Sequence, residues 1–419
     1  MEDFKRMYTA ESVTEGHPDK LCDLIADSIL DVHLAKDPLA RVACEVLATR
    51  GHILIAGEIT CADTVDIPRV VNNALREVGY DPKDFLLELN LHRQSADIAA
   101  GVNAALEQRH SLTATAQLGA GDQGVMVGYA CDETPQMLSL PVVLANRIVV
   151  ALTAARKAGL IQGLCPDGKA QVTVEYEDGV PKRLDTVIVS TQHSADKQTD
   201  QLVWEITDKV LPLALRSLPP DADTRILINP SGRFVEGGPA ADTGLTGRKL
   251  MVDTYGSFAP HGGGAFSGKD ATKVDRSGAY MARYIAKNLV AAKLAERCQV
   301  TLAYAIGVAQ PVMVEVDTFG TGTACADDCL SAAVRKVFNL TPSGIIETLD
   351  LRKPVFAKTT ACRVENPPFR LTAKPLGALQ SPPDSAFCYA KTAVGGHFGR
   401  NEFPWEKTDK AQALREAVL

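Results

Sequence analysis

A glycine-rich stretch at residues 261–276, with closely spaced lysines, is the densest candidate for chemistry in the sequence. Consecutive glycines allow backbone N–H groups to face an anion, and Lys269 and Lys273 follow four residues apart. A polyphosphate ligand needs cations such as these lysines to bind its oxygens. It also needs a carboxylate, such as that of Asp275, to hold a bridging metal ion. The run also satisfies G-x-x-x-x-G-K, but Asp270 replaces the Ser or Thr of a P-loop and is expected to repel phosphates. We therefore predict a polyphosphate site that is not a P-loop, with an ordinary charged surface loop as the alternative.

A second candidate is Glu15-Gly-His-Pro-Asp-Lys20, at the start of a predicted helix. A helix N-terminus presents free N–H groups and favours phosphate. There, His17 could donate to a leaving oxygen and Asp19 could hold a divalent ion. For this segment alone, simple capping of the helix by acidic residues is the better interpretation.

Two further stretches are weaker signals. Gly119-Ala-Gly-Asp-Gln-Gly124 is a glycine-rich turn before an apolar segment, and a plain tight turn explains it as well as a binding role does. Asn229-Pro-Ser-Gly-Arg-Phe234 leads into glycines and then into an Arg-Lys pair at 248–249. This order suits a purine stacked on Phe234 with cations for its phosphates, although such a Phe taken alone is more often a core residue.

The elements that must position these stretches mix helices and strands. The patterns predict helices over 18–34, 68–79, 136–158, 200–215 and 277–297, strands over 41–49, 52–60, 171–176, 183–191 and 248–253, and a long apolar run over 300–316. Residues 92–121 are polar, rich in Ala and Gly, and typical of a lid or linker. We predict an α+β protein of several similar-sized units.

Composition excludes several classes of protein. Hydrophobic residues make up 46% and charged residues 23%, which excludes global disorder. The net charge of −7 predicts no nucleic-acid or membrane-surface partner. No apolar run reaches the ~20 residues of a membrane-spanning helix, and the N-terminus lacks a signal-peptide pattern. The ten cysteines form no CxxC, so we expect a cytoplasmic protein with reduced thiols and no zinc site.

Taken together and in order, these motifs resemble the S-adenosylmethionine synthetase (methionine adenosyltransferase) family in its bacterial form. The two hallmark stretches stand here as Gly119-Ala-Gly-Asp-Gln-Gly124 and Gly262-Gly-Gly-Ala-Phe-Ser-Gly-Lys-Asp270. Further matches are Thr9-Ala-Glu-Ser-Val-Thr-Glu-Gly-His-Pro-Asp-Lys20, Gly396-His-Phe-Gly-Arg400 and Phe403-Pro-Trp-Glu-Lys407. Each motif is weak alone, but the ordered set covers nearly the whole chain and is very specific.

The resemblance implies three similar-sized, intertwined α+β domains in a pseudo-threefold arrangement. Their expected bounds are 1–105, with a gating loop at about 94–105, then 117–236, and 237–419 with the glycine-rich polyphosphate loop. It also implies a tight homodimer with shared active sites, usually paired into a tetramer. The implied reaction joins ATP and L-methionine by attack of the sulfur on ribose C5′, and the released tripolyphosphate is cleaved to phosphate and pyrophosphate.

The resemblance also implies roles for individual residues. The ATP and polyphosphate contacts would be His17, Asp167, Lys169, Arg233, Phe234, Asp242, Arg248, Lys249, Ala265 and Lys269. The methionine contacts would be Glu58, Gln94, Asp242 and Lys273. The Mg²⁺ ligands, for two ions per site, would be Asp19 and Asp275, and the K⁺ ligand would be Glu45. The catalytic residues would be His17, Lys169, Arg248, Lys269 and Lys273.

This reaction fits the residue inventory, because a thioether sulfur loses no proton when it attacks carbon. No general base is required, and the chemical demand is to align the reactants and to stabilise a highly charged leaving group. An ATP-dependent kinase or ligase that releases ADP or AMP is one alternative. A non-catalytic regulatory subunit is the other, although its retained charged positions would be costly to bury without a ligand.

Overall fold

The computed structural model describes residues 5–95, 105–109, 118–352 and 395–419. Its helices are α1 (Pro18–Lys36), α2 (Ile67–Val78), α3 (Leu106–Arg109), α4 (Leu140–Lys157), α5 (Thr199–Lys209), α6 (Leu211–Ala214), α7 (Leu250–Asp253), α8 (Val274–Ala291), α9 (Asp327–Val337), α10 (Pro342–Thr348) and α11 (Ala411–Val418). Its strands are β1 (Lys5–Val13), β2 (Arg41–Thr49), β3 (His52–Thr60), β4 (Leu86–His92), β5 (Gly124–Cys131), β6 (Leu164–Glu177), β7 (Val180–His193), β8 (Arg225–Ile228), β9 (Gly244–Leu245), β10 (Arg297–Tyr304) and β11 (Met313–Asp317). The mixture of helices and strands confirms the α+β prediction.

The sheets of the described residues combine strands from distant parts of the chain. One sheet has the order β4-β3-β2-β9, so the N-terminal hairpin continues into a strand from the second half of the sequence. Another has the order β1-β6-β7-β8, and a third has the order β11-β10-β5. Because β1, β5 and β9 each pair with strands of another region, the folding units are intertwined, as predicted.

The hairpin of β2 and β3 has the bounds predicted from its two apolar runs. Val42, Cys44 and Val46 are buried, whereas the residues between them face outward. Gly51 adopts φ +70 in the turn, a left-handed conformation that glycine enters without strain. The hairpin therefore has an apolar face on the core and an outer face that carries polar side chains.

Helix α1 is buried on almost all sides rather than on one apolar face. Leu21, Leu24 and Ile25 lie in the main core, as the periodicity predicts. Asp19 and Asp23 are buried as well, at 2% and 0% exposure. A helix that buries carboxylates needs partners for them, and those partners belong to the candidate site.

Two sequence predictions need correction, and one region without a predicted element is now assigned. The strand predicted over 248–253 is instead the short helix α7, in which the backbone N–H of Asp253 donates to Lys249 O at 2.9 Å. The helix predicted over 200–215 breaks at Val210 into α5 and α6. The apolar run over 300–316, for which no element type was predicted, forms most of the antiparallel pair β10 and β11. An apolar run alone does not distinguish such alternatives, because tertiary packing decides between them.

The C-terminal segment packs onto α8. The Trp405 ring stacks on Tyr280 with 3.7 Å between ring centroids, and both side chains are fully buried. Glu406 accepts hydrogen bonds from Arg283 at 2.9 and 3.0 Å and from Lys287 at 2.8 Å. Among the described helices, none has the length and apolar character needed to cross a bilayer.

Candidate active site

Three aspartates spaced four residues apart on α1 hold loops from the second half of the chain. Asp19, Asp23 and Asp27 lie along one side of the helix, because residues four apart are neighbours there. The backbone N–H groups of Leu245, Gly247 and Gly268 donate to Asp19 Oδ1, Asp23 Oδ1 and Asp27 Oδ1 at 3.1, 2.9 and 2.8 Å, respectively. These aspartates, called the α1 acid row below, fix the segments that carry Arg248 and Lys269 against one helix.

His17 caps the N-terminus of α1. Its Nδ1 accepts the backbone N–H of Asp19 at 3.3 Å, which assigns the ring proton to Nε2. Burial, assisted by the charge of Lys249, lowers the pKa of His17 to about 4, so the ring is neutral near pH 7. Capping is thus confirmed, although a histidine rather than an acidic residue performs it, and Nε2–H is oriented by the cap.

Asp19 lies between the helix start and the predicted Arg-Lys pair. Lys249 Nζ donates to Asp19 Oδ2 at 2.6 Å, and Arg248 Nε lies 3.6 Å from Asp19 Oδ1. Burial alone would raise the pKa of Asp19, but the hydrogen bonds from Lys249 and the Leu245 backbone outweigh it and leave that pKa below its usual value. The carboxylate is therefore ionised, and Arg248 remains half exposed beside it.

Strand β6 brings Asp167 and Lys169 to the same region. Asp167 Oδ2 accepts the backbone N–H of Gly238 at 2.8 Å, and burial raises the pKa of Asp167 to about 6. The charges of Lys169 and Asp242 act on both Asp167 and His17. These four titratable side chains therefore share one electrostatic environment near the start of α1.

Arg233 and Phe234 lie on the loop that follows β8. The Phe234 backbone N–H donates to His193 Nε2 at 3.1 Å, and the His193 backbone N–H donates to Phe234 O at 2.9 Å. Phe234 is half-buried and Arg233 is exposed. His193 therefore holds the Phe234 backbone, and the Phe234 side chain is left partly exposed.

The glycine-rich loop needs glycine where other groups approach closely. Gly268 has φ +78, and a Cβ there would lie 2.0 Å from Cys44 O. A Cβ on Gly264 would lie 2.2 Å from Asp275 Cγ. Lys269 Nζ donates to Asp275 Oδ2 at 2.7 Å. The loop therefore brings the predicted polyphosphate lysine into direct contact with the predicted metal ligand.

Asp270 points into the protein, so the repulsion of phosphate that we expected from it does not arise. Its carboxylate is 2% exposed and accepts hydrogen bonds from Val42 N at 2.8 Å, Thr272 Oγ1 at 2.7 Å and Lys273 Nζ. Burial would raise the pKa of Asp270, but the charge of Lys273 outweighs it and keeps that pKa below its usual value. Asp270 therefore anchors the loop and holds Lys273.

Glu45 and Glu58 share the outer face of the β2–β3 hairpin. Ala43 pairs with Glu58, and Glu45 pairs with Ala56 on the neighbouring strand. Both glutamates are exposed, and the charges of Glu58 and Lys269 act on Glu45. The structure therefore brings these two predicted contacts to the glycine-rich loop.

Gln94 lies just past the end of β4. Its backbone N–H donates to Thr60 Oγ1 at 3.3 Å, at the end of the neighbouring β3. Gln94 is therefore close to the strand end that carries Glu58. Residues 96–104 of the predicted gating loop lie outside the described residues.

The predicted metal ligands are single carboxylates that contact lysines. Asp19 contacts Lys249, and Asp275 contacts Lys269. In the part of the chain that the structure describes, no group of three or more His, Cys, Asp or Glu side chains could hold a metal ion. Mg²⁺ usually binds one or two carboxylates together with substrate phosphates. These oxygen donors thus fit a cation that a phosphorylated ligand also coordinates, and they do not fit an all-protein cage.

Most of the predicted residues form two groups that α1 connects, and Arg233, Phe234 and Gln94 are in neither group. The helix-start group is His17, Asp19, Asp167, Lys169, Asp242, Arg248 and Lys249. The loop group is Glu45, Glu58, Lys269, Lys273 and Asp275. Ala265 lies between them, since a Cβ on Gly247 would be 2.4 Å from the Ala265 Cβ. Sequence reasoning missed Asp23 and Asp27, which the spacing of the acid row could have indicated.

Family models match most of the chain. The N-terminal domain of S-adenosylmethionine synthetase matches residues 5–103, its central domain matches residues 117–234, and its C-terminal domain matches residues 236–366. The three matches follow one another in the order of the family, and both residue groups of the candidate site lie within them.

Proposed function

The chain belongs to the S-adenosylmethionine synthetase family and makes S-adenosylmethionine from ATP and methionine, and we propose a mechanism built on the site above. The methionine sulfur attacks ribose C5′ in line with the departing oxygen. Tripolyphosphate leaves as one unit and is then cleaved to phosphate and pyrophosphate. The new C–S bond takes the sulfur lone pair, and the electrons of the broken C–O bond remain on the tripolyphosphate.

The observation that carries this proposal is the set of cations around the start of α1. Lys169, Arg248 and Lys249 surround a helix N-terminus whose own N–H groups favour phosphate. Lys249 is held by Asp19, and Arg248 and Lys169 are half exposed and face a ligand-accessible surface. Such fixed positive groups stabilise charge that develops on a leaving oxygen.

His17 acts as a neutral hydrogen-bond donor. Its Nδ1 is occupied by the Asp19 backbone N–H, so Nε2–H faces away from the helix. A neutral donor stabilises the departing oxygen without transferring its proton, which suits a reaction whose nucleophile also releases none. His17 and Lys169 therefore act on the same bond from the helix-start group.

The glycine-rich loop binds the far end of the polyphosphate. Its glycines leave the backbone accessible, since a Cβ on Gly263 would meet no atom within 4 Å. Lys269 supplies a charge that Asp275 already orients. Lys273, at the end of the loop, is held by Asp270.

Asp19 and Asp275 would hold Mg²⁺, and Glu45 would hold K⁺. Mg²⁺ held there would neutralise part of the polyphosphate charge. Lys249 contacts Asp19 and Lys269 contacts Asp275, which supports the proposal that both carboxylates attract positive charge.

The remaining contacts divide between the two substrates. On the ATP side, Arg233 and Phe234 face the adenine, Asp242 faces the ribose, and Asp167 and Ala265 line the pocket. On the methionine side, Glu58, Gln94, Asp242 and Lys273 bind the amino acid. Phe234 is half-buried, and Glu58 is exposed on the hairpin face, so both are accessible to a ligand.

The enzyme would work as a homodimer with shared sites, and as a tetramer of two dimers, in the cytoplasm and without a nucleic-acid or membrane partner. Leu47 and Leu54 form a cross-strand pair on the same hairpin face as Glu45 and Glu58. Leu86, on the adjacent β4, is 71% exposed. An apolar patch beside site residues suits a surface that a second copy covers.

Product stoichiometry tests this function. The protein is incubated with ATP, methionine, Mg²⁺ and K⁺, and S-adenosylmethionine, phosphate, pyrophosphate, ADP and AMP are measured together. We expect the first three in equal amounts and neither nucleotide. Formation of ADP or AMP would replace this proposal with a kinase or ligase reaction.

A further inference from the structure

Tyr80 lies at the junction of the segments that carry His17 and Asp242. Its hydroxyl donates to the backbone oxygen of Gly16 at 2.6 Å. Gly238 packs so closely on the same hydroxyl that a Cβ there would lie 2.1 Å from it. We propose that Tyr80 is a positioning residue for the proposed transfer. Its hydroxyl fixes the position of the turn that precedes His17 relative to the loop that contains Gly238.

A third segment completes this junction. A Cβ on Gly16 would lie 2.4 Å from the Pro166 Cβ, and Thr14 Oγ1 donates to Pro166 O at 2.7 Å. The next residue, Asp167, accepts the backbone N–H of Gly238 at 2.8 Å. Tyr80 therefore contacts the Gly16 turn and the Gly238 loop, and the segment of Pro166 and Asp167 contacts both of them as well. The positions of the three segments consequently depend on each other.

Glu15 holds the same turn from the opposite side. Its carboxylate is fully buried and lies 2.6 Å from Arg156 Nη2 and 2.8 Å from Lys157 Nζ, in the last turn of α4. Charge-assisted hydrogen bonds from two cations fix the orientation of a buried carboxylate. Together with the Tyr80 hydroxyl, these contacts hold the backbone on both sides of Gly16, one residue before His17.

The relative position of the Gly16 turn and the Gly238 loop matters because the helix-start group acts on the bond between the nucleoside and the polyphosphate. In-line displacement requires the sulfur, C5′ and the leaving oxygen to be aligned, and a 1 Å misplacement can lower a rate by ~100-fold. Hydrolysis of added tripolyphosphate involves no nucleoside, so it does not depend on the relative position of these two segments. A loosened junction should therefore slow S-adenosylmethionine formation more than tripolyphosphate hydrolysis.

The test compares Tyr80→Phe with wild type and with Tyr304→Phe. Tyr304 is a matched control, because its buried hydroxyl also donates to a backbone oxygen, that of Leu340, at 2.7 Å. Lys157→Gln is a second variant, which weakens the Glu15 side of the junction and leaves Arg156 in place. Each variant is assayed for kcat and KM of S-adenosylmethionine formation, for hydrolysis of added tripolyphosphate, and for Tm.

For Tyr80→Phe and Lys157→Gln, we expect kcat for S-adenosylmethionine formation to fall roughly tenfold. Tripolyphosphate hydrolysis should stay within about twofold of wild type, and KM values should change little. Tyr304→Phe should lose a similar amount of Tm with no change in either rate. Equal loss of both activities, or a Tyr80→Phe variant that behaves like Tyr304→Phe, would overturn the proposal.

The inference rests on the proposed function, and the wild-type assay separates the two. Wild-type protein that makes no S-adenosylmethionine would contradict the function itself. Active wild type with an unchanged ratio of the two rates in both junction variants would contradict only the role of Tyr80.

Discussion

Asp27 of α1 and Arg276 of α8 are joined by two hydrogen bonds of 2.7 and 2.8 Å, and neither side chain is exposed by more than 1%. Arg276 Nη1 also donates to the backbone oxygen of Lys269 at 3.2 Å. Arg276 directly follows Asp275 in the sequence, and Asp27 also accepts the N–H of Gly268. One buried ion pair therefore fixes the backbone around the lysine and the carboxylate of the glycine-rich loop.

Replacing Asp27 with Asn should destabilise the protein strongly, because it removes the negative charge that binds the buried Arg276 guanidinium through two hydrogen bonds. Breaking such a buried pair typically costs about 3–5 kcal/mol of unfolding free energy. Urea unfolding measures the change. Asp221→Asn is the control. Asp221 is exposed and accepts two hydrogen bonds from Arg183, so the loss of its charge should change stability little. Similar losses in the two variants would contradict a special role for the buried pair.

Lys269→Ala should lower kcat by about 10²–10³-fold, because it removes a fixed cation that stabilises the leaving polyphosphate. The fold and the oligomeric state should persist, since this side chain contacts the site rather than the core. Steady-state kinetics and sedimentation check both points. Lys36→Ala, which removes half of an exposed pair with Asp63, serves as a control with unchanged rate. A near-wild-type rate for Lys269→Ala would show that the loop does not bind the leaving group.

Gly264→Ala should impair turnover by displacing Asp275, because the new Cβ would lie 2.2 Å from that carboxylate. We expect a fall in kcat of roughly 100-fold, which is the effect of a misplacement near 1 Å. The matched change Gly179→Ala lies in a hairpin turn at φ +82, with no atom within 4 Å of the new Cβ. That control should lose ~1 kcal/mol of stability through backbone strain and keep full activity. If both variants were equally active, the close approach would have no catalytic meaning.

Glu406→Gln should make stability less sensitive to acid. Burial would raise the pKa of Glu406, but the charges of Arg283 and Lys287 outweigh it and leave that pKa below its usual value. The native state therefore binds this proton less readily than the unfolded state, whose glutamate has a pKa of about 4.3. The resulting stabilisation is fully present above that pH and is lost as pH falls through the lower native pKa.

Unfolding free energies measured between pH 7 and pH 3 check this prediction. The Glu406→Gln variant should be less stable at pH 7 by about 3–5 kcal/mol, because Arg283 keeps a buried charge without its partner. Its stability should also fall less steeply in acid than that of wild type. If the unfolding free energies of the two proteins fell in parallel with pH, groups other than Glu406 would be responsible for the sensitivity to acid.

Local patterns predicted the elements whose stability is local. The hairpin of β2 and β3 was predicted to the residue, because two apolar runs separated by Arg50 and Gly51 specify both the strands and the turn. The end of α2 at the left-handed Gly79 follows from glycine at that cap in the same way.

The sequence could not predict features that depend on distant contacts. Residues 250–253 form a helical turn because Lys249 and Asp253 bind Asp19 and Lys20 of α1, and no local pattern contains that information. Asp270 points inward for the same reason, since its partners include the backbone of Val42. The candidate residues were found through motifs, but the way the α1 acid row holds them required the fold.

The central claim is that the sulfur displaces intact tripolyphosphate, and a rapid-quench single turnover tests it most directly. Excess enzyme is mixed with ATP labelled in the γ-phosphate, methionine, Mg²⁺ and K⁺, and the reaction is stopped at successive times. S-adenosylmethionine and labelled tripolyphosphate should appear together, before free phosphate. Labelled phosphate or ADP that precedes S-adenosylmethionine would contradict direct displacement.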